Sequence, residues 1–490
     1  MTHHKSSSSA VIVLMIGLFL GMLCPTATLM AQTADEEVSQ QPVIDAFARG
    51  DYQGALVMLD QQIADGGTAY QLYYNRACAL AHLERLDEAE ASLIDALNAG
   101  FNDFTYLRSD PDLINLHNRR TFESIFEAAR RFAKDAARSA QEGWRQRFGE
   151  AGYLFEQDED RRIHYATALD AYSQSRMREM VDELSDHSIQ HLFDAPPDDY
   201  FLIAIPTPED SKLFFNGQDH VGGIYEHGRR RLVARTVGSN LRHEVIHAFH
   251  WGHMDRLRQR HPIWIQEGLA CLYEDYEISD EGLLTFIPNK RNNIAVRRMR
   301  SGTLMPWKKL FAMDMNEFMT SNQAPHLYPQ VRSIFEFITD QGKLDQWYKA
   351  YVSGFKVDPT GRLAFEQVFG QPMASTERAW RLWLVNRPLI PDTIIEGQAA
   401  LGIRFGQHTT NDGVKISKVL RRSAAARAGL RPGDVIMSAN DQPIRSTDEL
   451  TRFIADCRIG DEITLVIRRG NTYVNQILEL MPLKSSSERP

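Results

Sequence analysis

The chain is poor in cysteine, with four in 490 residues: Cys24, Cys78, Cys271 and Cys457. Cys24 lies in an N-terminal leader-like stretch, and the other three fall in three separate regions. An odd number so placed excludes a disulfide framework and reads as buried free thiols. A basic excess is missing too. Lys and Arg number 55 against 64 Asp and Glu, a formal charge of −9, so nothing predicts nucleic-acid binding. The apolar run Val11 to Leu23 is too short for a comfortable membrane span. With Lys5 before it and Leu29-Met30-Ala31 as a cleavage site, residues 1–31 read as a signal peptide, which implies an exported protein, periplasmic or secreted in a bacterium. The alternative is an uncleaved N-terminal anchor. Cys24 follows Gly21-Met22-Leu23, which lacks the small residue expected before a lipoprotein cysteine. The remaining length suits about three domains, each with its own core.

What the chain does contain is His243-Glu244-Val245-Ile246-His247, followed by Trp264-Ile265-Gln266-Glu267-Gly268-Leu269-Ala270. On a helix, residues four apart share a face. His243 and His247 can then offer two imidazole nitrogens to one ion, with Glu244 beside the open position as a candidate general base. Glu267 lies at a spacing where a second helix could fold back onto the first. Two His and one Glu are the ligand set of a catalytic zinc ion, Zn2+, with the fourth position left for water. The bland alternative is an amphipathic helix carrying two His and an exposed Glu. Context favours the site. Ser239-Asn240 offer N-caps, and Val245, Ile246, Ala248 and Phe249 give the helix an apolar body. Upstream, Gly222 to Glu226 and Arg231 to Arg235 read as two strands around a His227-Gly228 turn. A sheet edge beside such a helix is a natural place for a peptide to add as a strand.

H-E-x-x-H followed by E-G-L-A resembles the gluzincin metallopeptidases, specifically the peptidase-MA-like domains of bacterial envelope proteins. The resemblance implies that His243, His247 and Glu267 bind zinc and that Glu244 is catalytic. A rival third ligand is His253, which occupies the last His position of the metzincin pattern H-E-x-x-H-x-x-G-x-x-H. That pattern needs Gly where this chain has His250, and Gly252 is out of register. Glu267 is therefore preferred, and His250 and His253 also suit a polar helix end. Related enzymes often carry a Tyr that donates to the oxyanion. Tyr328-Pro329-Gln330-Val331 resembles that segment. The alternative for Tyr328 is a core tyrosine, and Pro329 biases it away from helix.

The flanking regions read as binding modules. Ala55 and Leu59 align with Ala89 and Leu93 at the tetratricopeptide period, and residues 101–140 would cap so short an array. Leu401-Gly402-Ile403-Arg404-Phe405 and the small-residue segment Ala424 to Asp434 resemble bacterial PDZ modules. There Leu401, Gly402 and Ile403 would accept a peptide terminus, and Leu450 and Ile454 would line the groove from the helix Asp448 to Ile454. Between them, Tyr165 to Leu192 reads as one long helix, Phe201 to Ile205 as a strand, and the chain after Pro306 as mainly helical.

The expected architecture is multidomain. It comprises all-α tetratricopeptide hairpins over 40–140, an α+β gluzincin metallopeptidase domain (small sheet plus helical half) over 145–390, and a β-barrel-like PDZ domain over 391–485. The expected function is an exported zinc peptidase whose repeats and PDZ groove recruit protein or peptide partners. The alternative is a non-catalytic envelope adaptor. A structural zinc is the weakest reading, because such sites are usually closed and Cys-containing.

Overall fold

The computed structural model describes residues 33–99, 101, 104–215, 221–279, 281–320, 324–406 and 412–484. The leader reading over 1–31, Cys24 included, lies outside the described residues. The chain divides into two compact units, up to residue 132 and from residue 133 onward.

The first unit is helical: α1 (Thr33–Ala48), α2 (Tyr52–Ala64), α3 (Tyr70–His82), α4 (Leu86–Asn98), α5 (Phe104–Ser109) and the start of α6 (Arg120–Phe148). The Asp51 carboxylate caps α2 by accepting from the Gly54 N–H at 2.9 Å. Ala55 and Ala89 are each the fourth residue of their helices, and both are fully buried. A small side chain at these places lets α2 and α4 lie close against α3, whose own Ala77, Ala79 and Ala81 are also fully buried. Cys78 is a buried free thiol here, as Cys271 is in the second unit, whereas Cys457 is half-buried.

The second unit opens on a five-stranded sheet. Its strands are β1 (Leu154–Asp158), β2 (Ile163–Thr167), β3 (Phe201–Ile205), β4 (Gly223–Glu226) and β5 (Arg231–Ala234), in the order β1-β2-β3-β5-β4. β3 runs parallel to β2 and β5, while β1 and β4 close the two edges antiparallel. All five β3 residues are buried, as a central parallel strand covered on both faces requires. The helix expected from Tyr165 to Leu192 begins later. Ile163 to Thr167 pair with β3, and α7 (Ala171–Ser188) starts only where the Asp170 carboxylate accepts from the Ser173 N–H at 2.9 Å. A π turn over Ile189–Phe193 ends it.

After the sheet the chain is mostly helical: α8 (Lys212–Phe215), α9 (Ser239–Leu257), α10 (Ile263–Leu272), a small hairpin of β6 (Tyr276–Ile278) and β7 (Leu284–Phe286), then α11 (Lys290–Arg300), α12 (Trp307–Leu310), α13 (Met315–Thr320), α14 (Ala324–Asp340), α15 (Leu344–Gly354), α16 (Arg362–Phe369) and α17 (Met373–Val385). Trp264, Trp307, Trp347 and Trp380 are fully buried in one core with the sheet residues. Trp264 stacks on Phe311 with ring centroids 3.9 Å apart.

A separate core organises the C-terminal segment. Its strands are β8 (Ala399–Ala400), β9 (Ile403–Phe405), β10 (Val414–Val419), β11 (Val435–Ala439), β12 (Gln442–Pro443), β13 (Glu462–Arg469), β14 (Thr472–Glu479) and β15 (Met481–Pro482), with helices α18 (Ala424–Arg427) and α19 (Thr447–Ala455). The main sheet runs β14-β13-β11-β10-β9, which leaves β9 as an edge. Among the described residues, no helix is long and apolar enough to cross a membrane.

Candidate metal centre

α9 carries the H-E-x-x-H residues. Its N-cap position is Gly238, with no side-chain cap, rather than Ser239 or Asn240. Asn240 instead lies against the backbone at Gly222, at the head of β4. Leu241, Val245, Ile246, Ala248 and Phe249 bury the apolar face. The other face presents His243, Glu244 and His247. The helix continues unbroken through Gly252 to Leu257 and stops at Arg258 in a left-handed conformation. No turn follows His247, so His253 stays on the far part of the helix. Its Nδ1–H donates to the Phe193 carbonyl at 2.9 Å. The structure therefore keeps His253 away from His243 and His247.

α10 folds back and brings Glu267 in. His243 Nε2 lies 3.0 Å from His247 Nε2 and 3.2 Å from Glu267 Oε2, and His247 Nε2 lies 3.5 Å from the same carboxylate oxygen. Three ligand-type atoms thus converge on one point and could hold a metal ion. Burial raises the cost of ionising Glu267, but His247 and His243 outweigh it and hold the carboxyl well below its usual range. Burial likewise opposes a charge on His243, yet the Cys271, Glu267 and Glu274 side chains reverse the balance and raise its pKa.

Glu274 is a residue that sequence reasoning missed. Its Oε1 is 3.1 Å from His243 Nδ1, the nitrogen turned away from Glu267. Glu274 is itself held bidentately by the Arg291 guanidinium at 2.7 and 2.8 Å, and Asn289 Nδ2 donates to it at 3.2 Å. A carboxylate on the far nitrogen fixes both the tautomer and the orientation of a ligating histidine. His243, Cys271 and Glu274 also come together, but this second group shares His243, and Glu274 is already neutralised by Arg291. The one signal in the sequence is the seven-residue spacing from Glu267, which brings Glu274 to the same side because the chain keeps turning for two residues past the end of α10.

Glu244 faces β4. The Tyr225 backbone N–H donates to its carboxylate, while burial pushes its pKa up against the lowering pull of His243 and His247. A Cβ on Gly223 would lie 2.7 Å from Glu244 Cγ, so only glycine permits this approach. The expected strand pair and the sheet edge beside the helix are both present. Tyr328 arrives from α14, its ring centroid 6.5 Å from that of His243. Contrary to the expectation from Pro329, Tyr328 and Pro329 both lie inside that helix, near its start. The Tyr328 hydroxyl is directed at Met319 Sδ, 3.1 Å away, and burial and the Glu267 charge raise its pKa.

A family model for the PDZ domain matches residues 399–480. This segment is a PDZ domain. Over 68 residues the chain is 41% identical to the periplasmic serine endoprotease DegP of Escherichia coli, 14% of each protein's length. The chain therefore spans only a small part of this relative. Among solved structures, a PDZ domain of HtrA3 bound to a phage-derived ligand (FGRWV) aligns over 19% of this chain and 95% of its own, at 20% identity and a TM-score of 0.17. An aminopeptidase N family protein from Idiomarina loihiensis aligns over 68% of each chain, at 14% identity and a TM-score of 0.32.

Within the PDZ domain, Gly402 takes a φ of +72°, and a Cβ there would meet Ser423 Cβ at 2.3 Å. Leu401, expected to accept a peptide terminus, and Leu450 and Ile454, expected to line the groove, pack into the domain's core at 4%, 1% and 3% exposure. Ile403 is half-buried on β9, which pairs with β10 on one side. The PDZ domain supports peptide or protein partners in general.

Proposed function

We propose that this chain is an exported zinc-dependent peptidase of the gluzincin type. The observation that carries the reading is the convergence of His243 Nε2, His247 Nε2 and Glu267 Oε2 at separations of 3.0, 3.2 and 3.5 Å. Ligands bound to tetrahedral zinc at about 2.0–2.1 Å stand roughly 3.3 Å apart, so the donor set fits. When bound, the zinc supplies a Lewis acid for the scissile carbonyl and for the attacking water.

The chain's own residues do the rest. Glu274, anchored by Arg291, orients His243. The free edge of β4 holds the substrate backbone in extended form against the site. Glu244 takes the proton from the attacking water and delivers it to the leaving amine nitrogen. Its raised pKa suits the abstraction step, because a more basic carboxylate accepts the proton of the water more readily. Tyr328, once turned from Met319, would donate its hydroxyl to the developing oxyanion. The helical repeats and the PDZ domain recruit protein substrates or partners, the PDZ by strand addition at β9. A relative matched over the PDZ segment is a periplasmic serine endoprotease, which agrees with a proteolytic role outside the cytoplasm.

The competing reading is a non-catalytic adaptor, and it rests on the PDZ domain being the segment that a family model matches. A scaffold has no use for Glu244, a carboxylate kept beside two histidines at the cost of burial. The test is metal content of the purified chain, with peptide cleavage by wild type and Glu244→Gln. The peptidase reading expects stoichiometric zinc in both proteins and cleavage by the wild type alone. A wild type without zinc or cleavage overturns it.

A further inference from the structure

The PDZ domain does not stand apart from the metal centre. One element, α19, meets the peptidase region at three places, and each is next to His243 or to a residue that supports it. Arg452 Nη2 donates to Asp275 Oδ1 at 2.8 Å, and its Nη1 donates to the Pro288 carbonyl at 2.9 Å. Asp275 directly follows Glu274, and Asn289 Nδ2 bridges the two carboxylates at 2.8 and 3.2 Å. Asp448 pairs with Lys290 at 2.9 Å, immediately before the Arg291 that grips Glu274. Glu449 Oε1 accepts from Arg242 Nη2 at 2.7 Å, immediately before His243. Arg242, Asp275 and Asn289 are all buried.

We infer that Arg452 and Glu449 of the PDZ domain are positioning residues for the metal centre. They act through Asp275, Asn289 and Arg242 on Glu274 and His243. This inference rests on the zinc peptidase reading. A histidine holds a metal well only if its far nitrogen is fixed, and here the fixing carboxylate sits at the start of a loop. After Leu272 the backbone holds Glu274 and Asp275 by single bonds, from the Glu274 N–H to the Cys271 carbonyl at 3.3 Å and from the Ile287 N–H to the Asp275 carbonyl at 3.1 Å. Side-chain bonds add to these, from Arg291 and Asn289 within the peptidase region and from Arg452 across the domain boundary. Desolvated charge pairs are costly to leave half-made, so removing Arg452 leaves Asp275 buried with a poorer partner set. Since Leu450 and Ile454 of α19 pack in the PDZ core, the helix links that core to the metal centre's supports through Glu449 and Arg452.

The same interface supplies a control. Arg468 Nη1 bonds Asp170 at 2.7 Å, and Tyr473 donates to the same carboxylate at 2.7 Å. These contacts join the two regions at the head of α7, away from the Glu274 network. The experiment is zinc affinity of the full chain by chelator competition, with kcat and KM for a peptide substrate, for Arg452→Gln, Glu449→Gln, Arg452→Lys and Arg468→Gln. Removing an outer support of a ligand typically costs about 10–100-fold, and one step further out about three- to tenfold is expected for Arg452→Gln and Glu449→Gln. Their kcat should fall with KM little changed. Arg452→Lys, which keeps charge but cannot reach Asp275 and Pro288 together, should fall between. Arg468→Gln should leave zinc affinity at the wild-type value. Combining Arg452→Gln with Asp275→Asn should be no worse than Asp275→Asn alone, which exposes coupling even if each single variant is less stable. Folded variants that bind zinc as tightly as wild type overturn the inference alone, as does an equal loss in Arg468→Gln. A wild type that binds no zinc overturns the peptidase reading and this inference with it.

Discussion

Replacing Gly223 by Ala tests whether β4 sets the position of the general base. The added Cβ would lie 2.7 Å from Glu244 Cγ and 3.4 Å from both Cδ and Oε1. Ordinary contact begins near 3.4 Å, so the first approach is about 0.7 Å too close. Either Glu244 turns away from the metal centre or the edge strand lifts from α9. Both lengthen the bond from the Tyr225 N–H to the Glu244 carboxylate. A misplacement near 1 Å in a catalytic group costs on the order of a hundredfold, so kcat/KM should fall about ten- to hundredfold. Stability should change little. The overlap costs about 1–3 kcal/mol, but β4 is an edge strand that can yield, and Gly→Ala restrains the unfolded chain by about 0.4–1 kcal/mol. Zinc content should be unchanged, because His243, His247 and Glu267 are untouched. The assays are steady-state cleavage, thermal unfolding and metal analysis on one preparation. Wild-type activity in a normally folded variant would refute the reasoning, and so would activity lost only in step with lost zinc.

The third ligand is tested by Glu267→Gln against His253→Asn: metal content should collapse in the first and stay at wild type in the second. Glu274→Gln keeps the shape but weakens the hold on His243 Nδ1, so zinc affinity should drop about 10–100-fold at unchanged fold. Acid should destabilise the protein well before the carboxylates titrate. Burial and the Arg256 charge push His253 down to about 4, and burial with Arg230 does the same to His227. Each unfolded imidazole titrates near 6.5. Below that pH the unfolded chain binds more protons than the folded one, so stability is complete above about pH 6.5 and is lost progressively as pH falls towards 4. Each group contributes up to about 3 kcal/mol over that window. The thermal midpoint against pH should fall through it, and His253→Gln should flatten the slope.

Much of the site was legible because its geometry is local. The spacing from His243 to His247 needs only a helix to become a shared face, and an apolar body made that helix secure. β3 was legible for the same reason, since a run such as Phe201 to Ile205 suits a strand buried on both sides. Tyr165 misled because apolar residues around 163–192 fit a helical period, whereas parallel pairing with β3 decided Ile163 to Thr167 instead. Tertiary contacts settle such segments, and no local pattern reports them. Pro329 misled in a different way. The bias against helix applies to the preceding residue, and as the sixth residue of α14 Pro329 also gives up the N–H that would meet the Pro325 carbonyl; packing of Leu327, Val331, Ile334 and Phe335 into the core outweighs that cost.

What was not legible was the support around the ligands. Glu274 lies past the end of α10, where a helical spacing argument has formally lapsed, yet the turn at Tyr273 continues far enough to aim it at His243. Arg291 reaches Glu274 from a different helix, and Arg452 reaches its neighbour Asp275 from another core altogether. Ligands are constrained by the ion's geometry, so they recur at fixed spacing. Supporting residues are constrained only by where their charged ends must arrive, which any helix can satisfy from any distance along the chain. A motif therefore identifies the atoms that would touch the metal, and the fold identifies those that would keep the imidazole still. On that division, substitutions in the motif should remove the metal outright. Substitutions in the support should leave it bound more weakly and the rate graded by the number of bonds lost to Glu274 and Asp275.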